Sequence, residues 1–425
     1  MTGTVCRRRT NCRLCGGTSL TEVLTLSPTP LANAFVPESA LNVCQPVFPL
    51  ELFFCDTCAH VQLLDVLDAE LLFKNYVYVS GTSPVFVNHF KEYAATILKS
   101  YVPDLGDQLT IDIGSNDGTL LKQFQAFGME VLGIDPAQEI AAKASADGVK
   151  TLSNFFTRAL AKQIRAEHGT ARVITANNVF AHADDLIDIT NGIHDLLAPE
   201  GVFVFEVSYL ADVFEGTLFD TIYHEHLAYH SVKPIQQFFT NNGMELISAR
   251  RVGTHGGSLR GITQLKKGPH SSDGSVEVLI KEEADLGLHN PKTFQKFGQK
   301  ICKIKNDLKQ LLRQLKGAGK IICGFGAPAK ATTLMYHFNI GPSILDFIVD
   351  DSFLKQGLYS PGMHIPILPP SAIYEKKPDV VLVLAWNFAE SIMKNHADYL
   401  YRGGTFIVPL PKVEIFNYEK ISNRL

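Results

Sequence analysis

The chain has 425 residues, of which 46% are hydrophobic and 19% are charged, and its formal net charge at pH 7 is −4. This composition is typical of a globular protein, and the length predicts about two to four domains of the usual size. A slightly acidic chain is not expected to bind nucleic acid by neutralising phosphates, and no apolar run approaches the ~20 residues that a membrane crossing needs. The basic cluster Arg7–Arg9 has no apolar segment behind it, so we expect no secretory signal and a cytoplasmic location.

Four of the eight cysteines form two Cys-x-x-Cys pairs, Cys12/Cys15 and Cys55/Cys58, on either side of a proline-containing segment. Two such pairs can supply four thiolates to one tetrahedral zinc ion, and four thiolates leave no coordination position open for catalysis. A redox dithiol is the alternative, but it needs only one pair. We therefore expect a structural zinc site.

Farther along, the run Asp112-Ile113-Gly114-Ser115-Asn116-Asp117-Gly118 joins an apolar strand pattern to a helical one, and the next strand pattern ends in Asp135. A strand, a glycine turn, a helix and an acid at the next strand end form half of a nucleotide-binding α/β unit. A dinucleotide fingerprint needs a small residue where this chain has Thr119. The order Asp-x-Gly-x-Asn-x-Gly resembles instead the S-adenosylmethionine (SAM) loop of class I methyltransferases. An ordinary strand–turn–helix is the alternative, because a glycine pair alone is a weak motif.

Later strand patterns extend this unit. They lie near 149–152, 171–176, 201–207, 245–252 and 258–265, and helical patterns separate the earlier ones. Strands that alternate with helices and end in an antiparallel pair match the class I methyltransferase order. Residues 268–290 are polar and predict a linker.

A second α/β unit is predicted after an amphipathic helix at Thr293–Leu315. Its glycine turn spans Gly324–Lys330, and Asp350 follows the next strand pattern, which satisfies the dinucleotide spacing. However, Pro328 fixes the turn, and Lys330 lies where the first helical turn faces a phosphate. Binding of a diphosphate, binding of a dinucleotide and a purely structural turn therefore stay open.

The densest cluster of chemically active side chains lies at Tyr223–Ser231, with three histidines, two tyrosines and a glutamate. His224 and His226 at alternate positions of a strand could share a metal ion, whereas a single histidine is suited to acid–base catalysis near neutral pH. A polar loop without a chemical role is the third interpretation. Another histidine, His182, follows the fourth strand pattern, at the edge that faces the cofactor in this fold.

Taken in order, these motifs resemble the sugar C-methyltransferases, which act on nucleotide-activated keto-deoxysugars, especially at C-3′ of dTDP-4-keto-6-deoxyhexoses. The motifs that carry the resemblance are Cys58–Gln62, Tyr76–Ser83, Asp112–Gly118, Asn178–His182, Tyr223–His226, His255–Arg260, Gly324–Lys330 and Ala385–Asn387. The resemblance implies an α/β protein with three domains: a zinc-binding domain at 1–75, a class I SAM methyltransferase domain at 76–267, and a Rossmann-like nucleotide-sugar-binding domain at 268–425. It also implies that the substrate is held in the cleft between them.

The resemblance also implies roles for individual residues. A ketone at C-4′ acidifies the C-3′ hydrogen, a base removes it, and the enolate carbon attacks the methyl group of SAM. The implied base is His226, with Tyr223 and His182 near the reacting atoms, Glu225 as an orienting group and Tyr76 closing the site. Spacing alone does not choose His226 over His224. The expected SAM-binding residues are Gly114, Ser115, Asn116, Asp117, Gly118, Asp135, Asn177 and Asn178, and the expected substrate-binding residues are His224, Ser208, Lys330 and Lys355.

Two other classes of protein remain open. An NAD(P)-dependent or bifunctional nucleotide-sugar oxidoreductase would use the second glycine turn for its cofactor. A zinc-containing scaffold without activity would not bind SAM at all. The sequence does not identify the sugar, the nucleotide or the stereochemical outcome. It does not define the oligomeric state either, and a monomer is compatible with it.

Overall fold

The computed structural model of the chain describes residues 5–73, 81, 84–104, 106, 108–253 and 256–418, with no side chains described for 84–86. The strands are β1 Cys6–Arg8, β2 Leu20–Thr29, β3 Phe48–Cys55, β4 Val61–Leu63, β5 Asp65–Leu67, β6 Leu109–Ile113, β7 Glu130–Ile134, β8 Thr151–Leu152, β9 Ala171–Asn177, β10 Leu197–Ser208, β11 Ala228–Tyr229, β12 Met244–Val252, β13 Ser258–Leu265, β14 Ile322–Phe325, β15 Phe347–Val349, β16 Ile367–Leu368, β17 Val380–Val383, β18 Thr405–Val408 and β19 Glu414–Phe416. The helices are α1 Ala69–Phe73, α2 Pro84–Tyr101, α3 Thr119–Ala126, α4 Gln138–Ala146, α5 Arg158–His168, α6 Leu186–Leu196, α7 Leu210–Glu215, α8 Val232–Asn241, α9 Ser275–Asp285, α10 Pro291–Gly317, α11 Ala329–Phe338, α12 Ala372–Lys376, α13 Ala389–Asn395 and α14 Ala397–Tyr401.

The chain forms two compact units, and each is assembled from three separate stretches. Unit 1 comprises Met1–Thr21, Phe54–Ala211 and Leu227–Asn290, and unit 2 comprises Glu22–Phe53, Asp212–His226 and Pro291–Leu425. The expected domains 1–75, 76–267 and 268–425 are consecutive stretches, and their limits stay predictions.

Unit 1 is built on a seven-stranded sheet of the order β12-β13-β10-β9-β6-β7-β8. The strands from β10 to β8 run parallel, and β13 is antiparallel to both β10 and β12. Five parallel strands with an antiparallel pair at one edge confirm the predicted class I methyltransferase fold. Every residue of the central strand β6 is buried, as expected of a parallel strand that helices cover on both faces.

Alternating side chains of β10 fill two cores on opposite faces of this sheet. Val202 and Val204 belong to a core that also contains Tyr93 of α2 and Phe124 of α3. On the other face the rings of Phe203, Phe205, Phe180 and Phe239 pack together, with centroids between 5.4 and 6.1 Å apart.

The predicted linker at 268–290 is wrong in part, because α9 occupies Ser275–Asp285. Its inward positions are Val276, Leu279 and Glu283, so a charged residue stands where a helical pattern would show a third apolar one. Glu283 is fully buried and accepts hydrogen bonds from the Tyr209 hydroxyl at 2.9 Å and from the backbone N–H of Val232. The sequence pattern does not predict this helix, because the residues that make the burial of Glu283 favourable lie far from it in the chain.

Unit 2 contains a six-stranded sheet of the order β16-β15-β14-β17-β18-β19, parallel except for β19. This is the predicted Rossmann-like arrangement, in which the strand order reverses beside β14. The predicted helix at Thr293–Leu315 is confirmed as α10, which buries one face against the unit. Among the helices that the structure describes, none combines the length and the apolar character that crossing a membrane requires.

Candidate active site

The two Cys-x-x-Cys pairs converge in unit 1. The sulfur atoms of Cys12, Cys15, Cys55 and Cys58 all lie within 4.8 Å of one another, with 3.7 Å between Cys12 and Cys58 and 3.5 Å between Cys15 and Cys55. Sulfurs ~2.3 Å from a tetrahedral zinc ion are about 3.8 Å apart, so the four thiols fit one zinc. With four protein ligands the ion has a structural role.

The first glycine turn joins β6 to α3 in the left-handed conformation that glycine favours. Gly114 and Gly118 both have φ of +74°, and a Cβ atom at Gly114 would lie 2.5 Å from the Val179 side chain. The Gly114 N–H donates to the carbonyl of Ile134 at 2.7 Å, which ties the turn to β7. The turn thus brings bare backbone to the carboxyl end of β6, where a nucleotide-like ligand binds in such sheets.

Asp135, the acid at the end of β7, is 7% exposed, and burial raises its pKa. Its two oxygens accept the backbone N–H groups of Asn116 and Ala137, each at 2.9 Å. Each carboxylate oxygen can accept a second hydrogen bond, so Asp135 can still receive two ribose hydroxyls. These features fit SAM.

The other predicted cofactor residues lie in the same turn or at neighbouring strand ends. Asp117 accepts the N–H of Gly81 at 2.9 Å and the hydroxyl of Thr119 at 2.7 Å. Asn178 follows β9 with a left-handed φ of 59°, and its N–H donates to the carbonyl of Glu206 at 2.7 Å. Such strained residues cluster at functional sites. Ser115, Asn116 and Asn177 also lie in this part of unit 1, and their binding roles stay predictions.

Two further predicted residues of unit 1 lie at the carboxyl edge of the same sheet. Ser208 ends β10, is partly exposed and is paired in register with Ser258. His182 is partly exposed, and its ring centroid lies 5.6 Å from that of Phe73. The predicted residue Tyr76 lies outside the described part of the chain.

In unit 2, Tyr223 and His226 form a hydrogen-bonded pair. The Tyr223 hydroxyl lies 2.9 Å from His226 Nε2, and the ring centroids are 4.2 Å apart. His226 Nδ1 lies 2.9 Å from the carbonyl oxygen of Thr221, so this nitrogen carries the proton in the neutral ring. Nε2 is therefore the basic nitrogen, and both side chains are partly exposed.

The two residues between them are buried. His224 Nε2 donates to the carbonyls of Pro49 at 3.1 Å and Phe48 at 3.3 Å, and burial lowers the pKa of His224 to about 4. Glu225 accepts the amide N–H of Asn33 at 2.7 Å, and burial raises its pKa to about 7. These contacts are those of two packed side chains, each held by its own partners in unit 2. Their predicted roles at the substrate stay predictions.

The second glycine turn is largely engaged by its own chain. Asp350 accepts the N–H of Ala327 at 2.6 Å and that of Ser352 at 2.8 Å, and a Cβ atom at Gly326 would lie 2.4 Å from the Cβ of Ala385. Lys355 donates to the carbonyl of Ala327 at 3.0 Å.

Lys330 lies at the start of α11. Its ammonium nitrogen is 4.1 Å from the centre of the Trp386 ring, whose N–H donates to buried Asp220 at 2.6 Å. Burial lowers the pKa of Lys330, and Asp220 opposes this effect.

A charged cluster beside the first site was not assigned from the sequence. Glu206 of β10 accepts from His89 Nε2 at 2.9 Å and from Arg260 Nε at 2.5 Å, and the Arg260 guanidinium lies 4.1 Å from the centre of the Tyr93 ring. The available signal was a glutamate inside the apolar run Val202–Val207. A buried charge in a central strand requires a partner.

The fold, the glycine turn with Asp135 and the four-cysteine site define a zinc-containing, SAM-dependent methyltransferase. Three family models match the chain: "Putative zinc binding domain" at residues 12–73, "Methyltransferase domain" at 89–249 and "C-methyltransferase C-terminal domain" at 253–411. The C-methyltransferase NovU of Streptomyces niveus is 31% identical over 408 residues, which are 96% of this chain and 97% of NovU. The chain belongs to the C-methyltransferase family.

Two solved structures each align with less than half of this chain. Magnesium protoporphyrin IX methyltransferase from Synechocystis PCC 6803 with bound SAH aligns over 43% of this chain and 83% of its own, at 14% identity and a TM-score of 0.33. The PH0226 protein from Pyrococcus horikoshii OT3 aligns over 44% of this chain and 95% of its own, at 13% identity and a TM-score of 0.37. Scores this low add nothing to the assignment of function.

Proposed function

We propose that this C-methyltransferase transfers a methyl group from SAM to C-3′ of a nucleotide-linked 4-keto-6-deoxy sugar, with dTDP as the nucleotide and His226 as the base. The observation that carries the proposal is the hydrogen bond between His226 Nδ1 and the carbonyl oxygen of Thr221. A proton on Nδ1, held by the Thr221 carbonyl, leaves a lone pair on the Nε2 atom of a partly exposed ring. Carbon becomes a nucleophile only after it loses a proton, so C-methylation needs a neutral base of this kind.

The Tyr223 hydroxyl supports the second half of this chemistry. It donates to His226 Nε2 in the structure, at 2.9 Å, and so holds the ring in place. When Nε2 takes the C-3′ proton, the hydroxyl loses that acceptor while negative charge grows on the keto oxygen of the sugar. A hydrogen bond redirected to this oxygen stabilises the enolate. SAM supplies the electrophilic methyl group when it is bound.

The contacts of the second glycine turn in unit 2 suit the binding of a nucleotide diphosphate better than that of a dinucleotide. A dinucleotide needs an acid free for ribose hydroxyls and open backbone at the second glycine. Asp350 is instead paired with the Lys355 ammonium, whose nitrogen lies 3.6 Å from a carboxylate oxygen, and Gly326 lies against Ala385. Lys330 and the start of α11 keep the positive charge that a diphosphate requires. These contacts weigh against the NAD(P)-dependent alternative.

The test is exchange of the C-3′ proton with solvent. Incubated in heavy water with a dTDP-4-keto-6-deoxy sugar and demethylated SAM, the wild-type protein should introduce deuterium at C-3′. His226→Asn should slow both this exchange and methyl transfer by ~10²–10⁴-fold while SAM binding is retained, because only deprotonation needs the imidazole.

The matched control is His194→Asn, since His194 lies on the surface helix α6 and its side chain is 44% exposed. It should exchange and methylate like the wild type. Full exchange by His226→Asn would exclude His226 as the base, and absence of exchange or methylation by the wild type with any 4-keto sugar would defeat the proposed substrate.

A further inference from the structure

Arg13 lies between the zinc ligands Cys12 and Cys15 in the sequence, and its side chain is buried among other segments of unit 1. Its guanidinium donates to the carbonyl of Leu227 at 2.5 Å and to that of Leu63 at 2.9 Å. It also donates to the Gln62 side chain at 3.1 Å, and only 1% of the residue is exposed. One side chain thus joins the loop Cys12–Cys15, which we call the zinc knuckle, to strand β4 and to Leu227, the residue directly after His226.

The fourth contact of Arg13 is the carboxylate of Asp184, at 3.4 Å. Arg9 donates to the same carboxylate at 2.8 Å, and Arg7 pairs with it as well. Burial alone would raise the pKa of Asp184, but the arginines outweigh burial, with Arg13 first among them, and lower it. Asp184, two residues after His182, is therefore ionised near neutral pH and attaches this segment to Arg13.

The two segments that Arg13 contacts are also bound to each other. The N–H groups of Leu227 and Ala228 donate to the carbonyl of Ala181 at 2.7 and 3.1 Å, and His230 Nε2 donates to the carbonyl of Phe180 at 3.0 Å. Ala228 pairs in turn with Gln62 of β4. We call these two segments, 180–184 and 227–230, the clamped segments.

Burying an arginine costs free energy, and a well-packed apolar side chain often stabilises a core as well or better. What an apolar residue cannot do is donate to several segments at once. The planar fork of a guanidinium carries five N–H donors in fixed directions, and here it serves two carbonyls, an amide and a carboxylate. Arg13 therefore fixes the relative positions of the four groups to which it donates.

We propose that Arg13 is a positioning residue for methyl transfer, which holds both clamped segments, and with them His182, in register with the zinc knuckle. The inference rests on the proposed function, because it gives catalytic meaning to His182 and to the segment that begins directly after His226. On this view the zinc site aligns the reaction centre in addition to stabilising the fold.

The test is Arg13→Lys, which keeps the positive charge but cannot donate to all four partners. We expect zinc content and SAM affinity to stay at the wild-type level while kcat for methyl transfer falls by about 100-fold, the usual consequence of a small misalignment of reacting groups. Amide hydrogen exchange, which needs no sugar, should rise in both clamped segments.

The matched control is Arg172→Lys. Arg172 also lies in unit 1 and donates to two backbone carbonyls, those of Glu200 at 2.6 Å and Tyr101 at 2.8 Å, but it contacts neither clamped segment among the described residues. Its substitution should leave kcat and exchange in the clamped segments unchanged.

Unchanged kcat and exchange in Arg13→Lys, or loss of zinc together with activity, would overturn the proposal. If Arg13→Lys does not fold, Asp184→Asn decides by the same measurements, with the same expected direction. A wild type that methylates no keto sugar would defeat the proposed function only, because the exchange comparison is made without substrate.

Discussion

Two histidines that the sequence cannot distinguish, His224 and His226, lie in opposite environments. His224 is 1% exposed and donates to two backbone carbonyls, so its Nε2 carries a proton and cannot act as a base. His226 presents its unprotonated nitrogen to the Tyr223 hydroxyl on a partly exposed ring. The burial of single side chains favours the base that the family resemblance implies.

The buried histidines predict a specific loss of stability in acid. Burial lowers the pKa of His230 to about 4 from an ordinary value of 6.5, so the unfolded chain binds the proton more readily than the folded one. This contribution to stability is complete above pH 6.5 and is lost as the pH falls towards 4. For His230 the loss between pH 7.5 and pH 5 is about 2 kcal/mol.

Urea unfolding at these two pH values checks this prediction. In His230→Asn the free energy of unfolding should fall by about 2 kcal/mol less on acidification than in the wild type. The exposed control His194→Asn should behave like the wild type. Equal acid sensitivity of all three proteins would mean that the neutral, buried state of His230 does not contribute.

At the scale of elements, helix α11 links the second glycine turn to the segment that leads into Tyr223. The helix begins at Ala329, directly after the turn, and the Thr333 hydroxyl donates to the carbonyl of Ile222 at 2.8 Å. At its other end Phe338 stacks on Phe219 with the ring centroids 4.9 Å apart. We therefore expect a ligand that binds at this turn to contact the same helix that supports the proposed base.

The single tryptophan of the chain, Trp386, can report such a ligand. Lys330 lies 4.1 Å from its ring centre, and a diphosphate that attracts the ammonium group should change the indole fluorescence. We expect a saturable change with dTDP and none with thymidine. Lys330→Met should weaken dTDP binding by about tenfold, as the loss of one charge-assisted hydrogen bond implies.

The control for this titration is Lys394→Met, because Lys394 is an exposed lysine of unit 2. It should bind dTDP like the wild type. Equal affinity of Lys330→Met would remove Lys330 from the nucleotide site.

The elements that the sequence predicted well are those whose signal is local. The strand at Leu109–Ile113, its glycine turn and the strand at Ser258–Leu265 were found because periodicity and turn residues act over a few positions. Helix α9 and the role of Glu206 have no such local signal, because a buried charge is explained only by partners far away in the chain. For Glu206 that partner is Arg260, which is paired with it in register across two strands.

At the scale of the whole molecule, the chain passes between the two units at five points: after residues 21, 53, 211, 226 and 290. No sequence signal marks these crossings, because they depend on which distant segments pack together. The stretches Glu22–Phe53 and Asp212–His226 belong to a unit whose largest part begins at Pro291. Cutting the chain at any one position after Glu22 therefore divides unit 2 between two fragments.

We accordingly predict that the fragment 291–425 does not fold cooperatively by itself. It lacks Phe219, on which Phe338 stacks, and Asp220, the hydrogen-bond partner of Trp386. Thermal denaturation followed by circular dichroism should show a broad, weak transition for the fragment and a sharp one for the full chain. A dispersed amide NMR spectrum from the fragment would contradict this prediction.

The interleaved path also sets an order of events during synthesis. Every residue of unit 1 has been made once residue 290 leaves the ribosome, but unit 2 then still lacks its last 135 residues (425 − 290). At ~5–20 residues per second these take about 7–27 s to appear. Throughout that interval Phe219 lacks Phe338, on which it finally stacks, and Asp220 lacks its hydrogen-bond partner Trp386. Nascent chains of this enzyme should therefore engage chaperones over a defined window, which closes only when residues 291–425 have been made.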